Sequence, residues 1–269
     1  MTSFQYPIGS SISDLEKSAL LLPTGVALVP YAQRRIAFKR DAFVNTTALQ
    51  DVSMQATGST IIATNAPLGA AIEIVSTSVN DTAAGSGART VTVHYLNSSF
   101  QETTLDVTLN GTTPVSLGTV CQYINLTHVL TIGTAGGLPA GTINIRNVAT
   151  PTTIYSTVTG LNTSLTSIYT VPLGFFALIN AIDLNVYHST SSANNRVVMR
   201  AECCDWDIIT TPGVFQCRFD NIYGDTATDN MSINSILSPL STVKLSCTPS
   251  TAAGNLRISG CYALTLFKL

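Results

Sequence analysis

Asn80 to Leu96 reads NDTAAGSGARTVTVHYL, and its two halves ask for different structures. The first sets Gly85 and Gly87 one residue apart beside Arg89, as a phosphate-cradling loop begins. Such a loop needs further glycines at fixed offsets and a helix N-terminus aimed at the phosphate. Here Thr90 stands at the third glycine position, no Gly-Lys-Ser/Thr follows, and Thr90 to Tyr95 alternates with a period of two. That alternation marks a half-buried strand. The glycines, with Asn80 and Asp81, therefore read as a turn between strands and not as a nucleotide site.

Composition extends this reading to the whole chain. Of its 269 residues 45% are hydrophobic and only 10% charged, against roughly 25% charged in an ordinary soluble domain. Solubility must rest on threonine, serine and asparagine, and β-branched threonine suits strands better than helices. The expected fold class is all-β. The length allows two domains of about 100 to 120 residues, each able to bury a core without staples.

A formal net charge of −2 gives no global footprint for nucleic acid and no polyanionic tail. The local exception is QRRIAFKRD, where Arg34, Arg35, Lys39 and Arg40 lie close together. Such a run is a solvated face or an arm that docks on an acidic surface or nucleic acid. MTSFQYPIGSS lacks the form of a signal peptide, and ALLLPTGVALVP, broken by Pro23 and Gly25, is too short to span a membrane. The six cysteines form no Cys-x-x-Cys pair, so no structural metal site is expected. They read as small buried hydrophobes, with the adjacent Cys203 and Cys204 on opposite faces of a strand.

Along the chain, residues 1–55 stand apart. Ser13 and Glu16 have capping-box spacing before SALLL, which predicts one short helix ended by Pro23 and Gly25. The remainder of that segment reads as an extended arm. From 56 to 158, period-two segments separated by turns predict a β-sandwich, with strands at 72–79, 89–96, 103–109, 121–132 and 142–148. Asn110-Gly111 has the chemistry of a hairpin turn. From 159 to 269, long strands with wide connections predict a second, jelly-roll-like sandwich.

Three stretches carry a resemblance: SVNDTAAGSGARTVTVHYLNSSFQETTLDVTLNGTTPV (78–115), VLTIGTAGGLPAGTINI (129–145) and LTSIYTVPLGFFALI (165–179). Together they resemble virion structural proteins of tailed bacteriophages, especially marine ones. The likeness is close over residues 70–180 and reduces to strand pattern from 180 to 269. It departs at His94-Tyr95 and at Leu173 of the Thr-Val-Pro-x-Gly turn. The resemblance implies a virion component, assembled in the host cytoplasm, of the head-decoration, head-fibre or tail-associated kind.

Catalytic candidates are thin. His94, His128 and His188 lie in or beside strand-like segments with no nucleophile and orienting group implied around them. In ECCDWDI, Asp205 and Asp207 flank the only tryptophan, Trp206; acids beside an aromatic suit a sugar contact, although a strand end with a core tryptophan is the plainer reading. Phe219 to Asn230 reads as an Asn/Asp-rich loop without the ordered ligand spacing of a calcium site.

The expectation is thus a non-enzymatic virion subunit with no cofactor and no metal. It would assemble with itself as a trimer or pentamer and with the major capsid or other virion proteins, held by an arm in which Leu15, Leu22, Val26, Val29, Arg34, Arg35, Lys39 and Arg40 make the contacts. Nucleic acid would be touched only through the basic arm. The alternative is a receptor-binding, carbohydrate-binding fibre module with Trp206, Asp205 and Asp207 at its site.

Overall fold

A computed structural model describes residues 30–40, 50–54, 68–188 apart from 135, 137, 152 and 158, then 197–204, 216–223, 226–249 and 256–269. The expected helix at 13–22, the arm residues Leu15, Leu22, Val26 and Val29, and the cluster Asp205, Trp206 and Asp207 lie outside the described residues. The chain is all-β, as its alternation predicts, and contains several sheets with no helix among the described residues.

Residues 70–157 form one six-stranded antiparallel sheet. After β1 (Pro30–Arg40), β2 (Gln50–Asp51) and β3 (Ser53–Met54), its strands are β4 (Ala70–Ser76), β5 (Ala88–Asn97), β6 (Glu102–Thr108), β7 (Val115–Ile132), β8 (Ile143–Asn147) and β9 (Thr153–Thr157). They lie in the order β6-β5-β7-β4-β8-β9. Register shifts along β5 and β7 are the bulges that let a sheet bend, and the sheet curls around Ile72, Ile74, Val91, Val93, Ile143, Ile145 and Tyr155. A single bent sheet thus stands where two facing sheets were expected. Asn110-Gly111 is not a hairpin turn either: β6 and β7 are both partners of β5 and do not pair with each other. Gly111, at φ 60°, instead crosses the sheet end and donates its N–H to the Asp81 carbonyl.

The remaining strands build two larger sheets and a short pair. β1 (Pro30–Arg40), β12 (Phe175–His188), β15 (Thr226–Leu237) and β17 (Leu256–Lys268) lie in the order β1-β17-β12-β15. The facing sheet has the order β11-β16-β13-β14, from β11 (Tyr169–Thr170), β13 (Val197–Cys204), β14 (Gln216–Tyr223) and β16 (Thr242–Pro249), with β2 (Gln50–Asp51) also paired to β16. Between them Ile36, Phe38, Leu184, Val186, Leu264 and Leu266 of one sheet pack with Val197, Met199, Val243 and Leu245 of the other. Each such side chain contributes about 1.5 to 3 kcal/mol on full burial.

Two expectations change here. Residues 30–40 were read as part of an arm, yet β1 pairs with β17 along its length and buries Ile36 and Phe38. Phe219 to Asn230 was read as a loop, yet most of it is the end of β14 and the start of β15, in different sheets. Cys203 lies in the core shared by the two sheets while Cys204 is buried outside it, as opposite faces of one strand require.

The six-stranded sheet falls in sequence between β3 (Ser53–Met54) and β10 (Leu165–Thr166), and these two strands pair antiparallel. The chain therefore leaves and returns at one place. Ser167, just past β10, receives the Tyr262 hydroxyl on its carbonyl at 2.8 Å, and its own hydroxyl donates to the Leu245 carbonyl at 3.1 Å. Its N–H donates to Ser53 Oγ at 3.2 Å, so both ends of the excursion are fixed to the larger sheets.

Candidate functional site

The four cations expected to act together are divided by the period of the strand that carries them. Arg34 and Arg40 lie on the same side of β1 as the buried Ile36 and Phe38, while Arg35 and Lys39 lie on the other. Arg34 meets Glu102 of β6 with both ends of its fork, Nη2 to Oε2 at 2.8 Å and Nε to Oε1 at 3.4 Å. Arg35 pairs with Asp183 of β12 at 3.3 Å. Arg40 donates to the Asp51 carbonyl, and burial lowers its basicity. The run QRRIAFKRD is therefore not one cationic face.

The Arg34–Glu102 pair stands in a cleft of about 860 Å³ between the six-stranded sheet and the sheet of β1, β12 and β17. One wall carries His94 of β5 with Glu102 and Thr104 of β6; the other carries Tyr31 and Arg34 of β1 with Phe175 of β12. At the mouth Tyr31, 62% exposed, tilts against Phe175 with ring centroids 4.8 Å apart. Tyr169 reaches the cleft from the core. It is 1% exposed, and its hydroxyl makes no well-aligned hydrogen bond although the Arg34 guanidinium lies beside it. Burial pushes this phenol well above its ordinary range, so it stays protonated.

His94 faces His128 of β7 with ring centroids 5.2 Å apart, and its buried Nε2 lacks a partner. Burial first, and then His128, hold its basicity down, which favours the neutral ring. The orphaned His94 Nε2 bears on the cleft because an unsatisfied buried group costs about 1 to 3 kcal/mol.

The glycine-bearing turn at 80–88 and the loop at 140–141 together do cradle an anion, and the anion is the turn's own. Asp81, fully buried, accepts the N–H groups of Ala88 at 2.7 Å, Ala140 at 2.9 Å and Gly141 at 2.8 Å, and the Ser76 hydroxyl at 2.6 Å. Convergent backbone donors of this kind bind carboxylate or phosphate alike. With Asp81 in place no external phosphate is needed. A Cβ on Gly87 would lie 2.1 Å from Asp81 Oδ1, so the carboxylate itself dictates glycine there.

A second polar cluster escaped the sequence reading. On β16, Lys244 Nζ lies 2.9 Å from Asp51 Oδ1 and 3.7 Å from Glu202 Oε2 of β13, and the Ser246 hydroxyl donates to the same Glu202 oxygen at 2.7 Å. Burial raises the Asp51 pKa against the pull of Lys244. These residues are separated by up to two hundred positions in the chain and share no local motif, so only the register of β2, β16 and β13 reveals them. Among the described residues no group of His, Cys, Asp and Glu is arranged to hold a metal, and no helix is long and apolar enough to cross a membrane.

No family model and no curated protein matches the chain. Among solved structures it is similar to that of infectious bursal disease virus, Gt strain, at 12% identity over 90% of this chain and 72% of that one, with a TM-score of 0.18. The VP2 subviral particle of infectious bursal disease virus matches at 13% identity over 96% and 78%, TM-score 0.18. The tandem CBM22-1-CBM22-2 domain of Paenibacillus barcinonensis Xyn10C matches at 9% identity over 90% and 100%, TM-score 0.23. TM-scores this low mark no shared fold, and the strand order above stands on its own.

Proposed function

We propose that this chain is a non-enzymatic structural subunit of a virion, a capsid-associated decoration or fibre-base protein. The observation that carries the reading is strand order. Counting β1 and then β11 to β17 as first to eighth, one sheet runs first-eighth-third-sixth and the other second-seventh-fourth-fifth. That is the order of a jelly roll, an architecture used by capsid and lectin domains. The phage-virion resemblance of residues 78–115, 129–145 and 165–179 points the same way, as do the low charge and threonine-rich strands. In this reading the jelly roll starts at residue 30 and carries the six-stranded sheet as an insert.

Anchoring falls to the segment before β1, with Leu15, Leu22, Val26 and Val29 making apolar contacts to the major capsid or another virion protein. Its sequence has too few alternating apolar residues for a core of its own, and fixing such backbone on a partner costs about 1 to 2 kcal/mol per residue, which the apolar contacts must offset. The subunit would repeat around a symmetry axis as a trimer or pentamer. The test removes residues 1–29 and leaves β1 whole. The truncated chain is expected to keep its β-sheet circular dichroism and to fail to load onto virions, whereas undiminished loading would remove the anchoring reading.

A further inference from the structure

The geometry points to a saccharide-binding site in the cleft between the six-stranded sheet and β1, taking a neutral sugar ring against Tyr31 and its hydroxyls against Glu102, Arg34, Tyr169 and His94.

The cleft is built for a ligand that is polar, uncharged and flat on one side. Its central charges are held in pairs, Arg34 with Glu102 at two points and Arg35, which also lines the cleft, with Asp183. An anion entering here would meet Glu102, and a cation would meet Arg34, Arg35 and Lys268. An apolar guest would leave His94 Nε2 buried and unsatisfied and the Tyr169 hydroxyl with only the poorly aligned Arg34 beside it. A polyhydroxylated ring offers a hydroxyl to each as the cleft walls part to admit it. Adjacent sugar hydroxyls accept from the guanidinium hydrogens that Glu102 leaves free and donate to the carboxylate lone pairs that Arg34 leaves free. The neutral state of His94, favoured by burial beside His128, leaves Nε2 able to exchange a hydrogen bond with a hydroxyl without adding charge.

The mouth adds the second feature. Tyr31 is an exposed aromatic on an edge strand, braced by Phe175. A braced ring loses little conformational freedom on binding, and it presents an apolar face with a polar tip. The volume, about 860 Å³, lies within the range of small-molecule pockets and admits more than one ring. This site is separate from the segment at 205–207 that the sequence offered for sugar contact, and it stands whether or not residues 1–29 anchor the chain.

The test titrates the full chain with glucose, galactose, mannose, N-acetylglucosamine and trisaccharides of each, read by saturation-transfer NMR and isothermal calorimetry. At least one is expected to saturate, with a Kd of roughly 1 mM or below. Tyr169→Phe removes only the hydroxyl beside Arg34. It is expected to weaken that sugar about tenfold while leaving the midpoint of unfolding nearly unchanged, because that hydroxyl makes no well-aligned hydrogen bond in the free chain. Tyr31→Ala, on an exposed position, is expected to weaken binding by a similar factor with the fold intact. A ligand that matters only to packing would not separate affinity from stability in this way. The inference is overturned if no sugar of the panel saturates, if inorganic phosphate or acetate binds more tightly than any sugar, or if Tyr169→Phe binds as the parent does. Virion loading of Tyr169→Phe is expected to equal that of the parent, so failure here and failure of the anchoring reading are told apart.

Discussion

The six-stranded sheet and the facing pair of sheets close their cores over different distances. Every strand of the first comes from residues 70–157, and Asp81 fastens the loops at 76–88 and 140–141 while its carbonyl holds Gly111. The second needs β1 against β17, where Arg35 touches Cys261 across 226 residues of chain. Closing a long loop costs entropy that grows slowly with length, and distant pairings slow folding more than they weaken it. The contrast teaches that the inserted sheet has what it needs locally, whereas the sheets that carry it are complete only when the last strand arrives.

The largest expected effect attacks the local knot. Asp81→Ala strips the acceptor from three N–H groups, two of them buried, and from the buried Ser76 hydroxyl, at a cost of about 5 kcal/mol. Hydrogen exchange is expected to show that loss in β4, β5 and β8 with β12 and β17 protected as before. Equal loss in both regions would mean that they unfold as one unit and would break the comparison. Phe38→Ala comes next, at about 3 kcal/mol, because it empties a fully buried site between β1 and the core. Here β17 and β12 are expected to lose protection while β5 and β7 keep it.

The smallest effect sharpens the boundary where the regions meet. His94 is held below its ordinary basicity by burial and by His128, with Arg34 opposing and Glu102 and Asp106 favouring its charge. The unfolded chain takes up this proton more readily than the folded one, so stability contributed by the neutral ring is present above about pH 6.5 and declines as the pH falls below it. Denaturant melts of the parent and of His94→Gln at falling pH are expected to converge, and parallel curves would deny His94 any part in the pH response.

Much of this architecture was legible and some was not, for reasons that differ by strand. Thr90 to Tyr95 and Thr103 to Thr108 alternate because one face is buried, and the strands fall where that pattern lies. β1 hid behind its charges: only Ile36 and Phe38 alternate, and four cations within seven residues suggested an arm. β15 hid because it lies at a sheet edge and reads TATDNMSINSIL, with Thr228 and Asn230 exposed. Asn110-Gly111 misled because its glycine answers to the Asp81 carbonyl across the fold and not to a strand neighbour. The cleft had no local signal at all, since its residues come from positions between Tyr31 and Lys268 and meet only through register.

The pairing of β3 with β10 turns the inserted sheet into a cassette. Two adjacent two-residue strands form its neck, and Ser53 and Ser167 tie that neck to β16 and β17. Beyond the neck the insert meets the carrier along the cleft wall, where Leu173 donates to the Phe100 carbonyl, and through Asn125 of β7, which exchanges hydrogen bonds with the Thr170 backbone of β11. A chain joined in this way can have the inserted piece exchanged, lengthened or lost while β1 and β11 to β17 keep their own pairings.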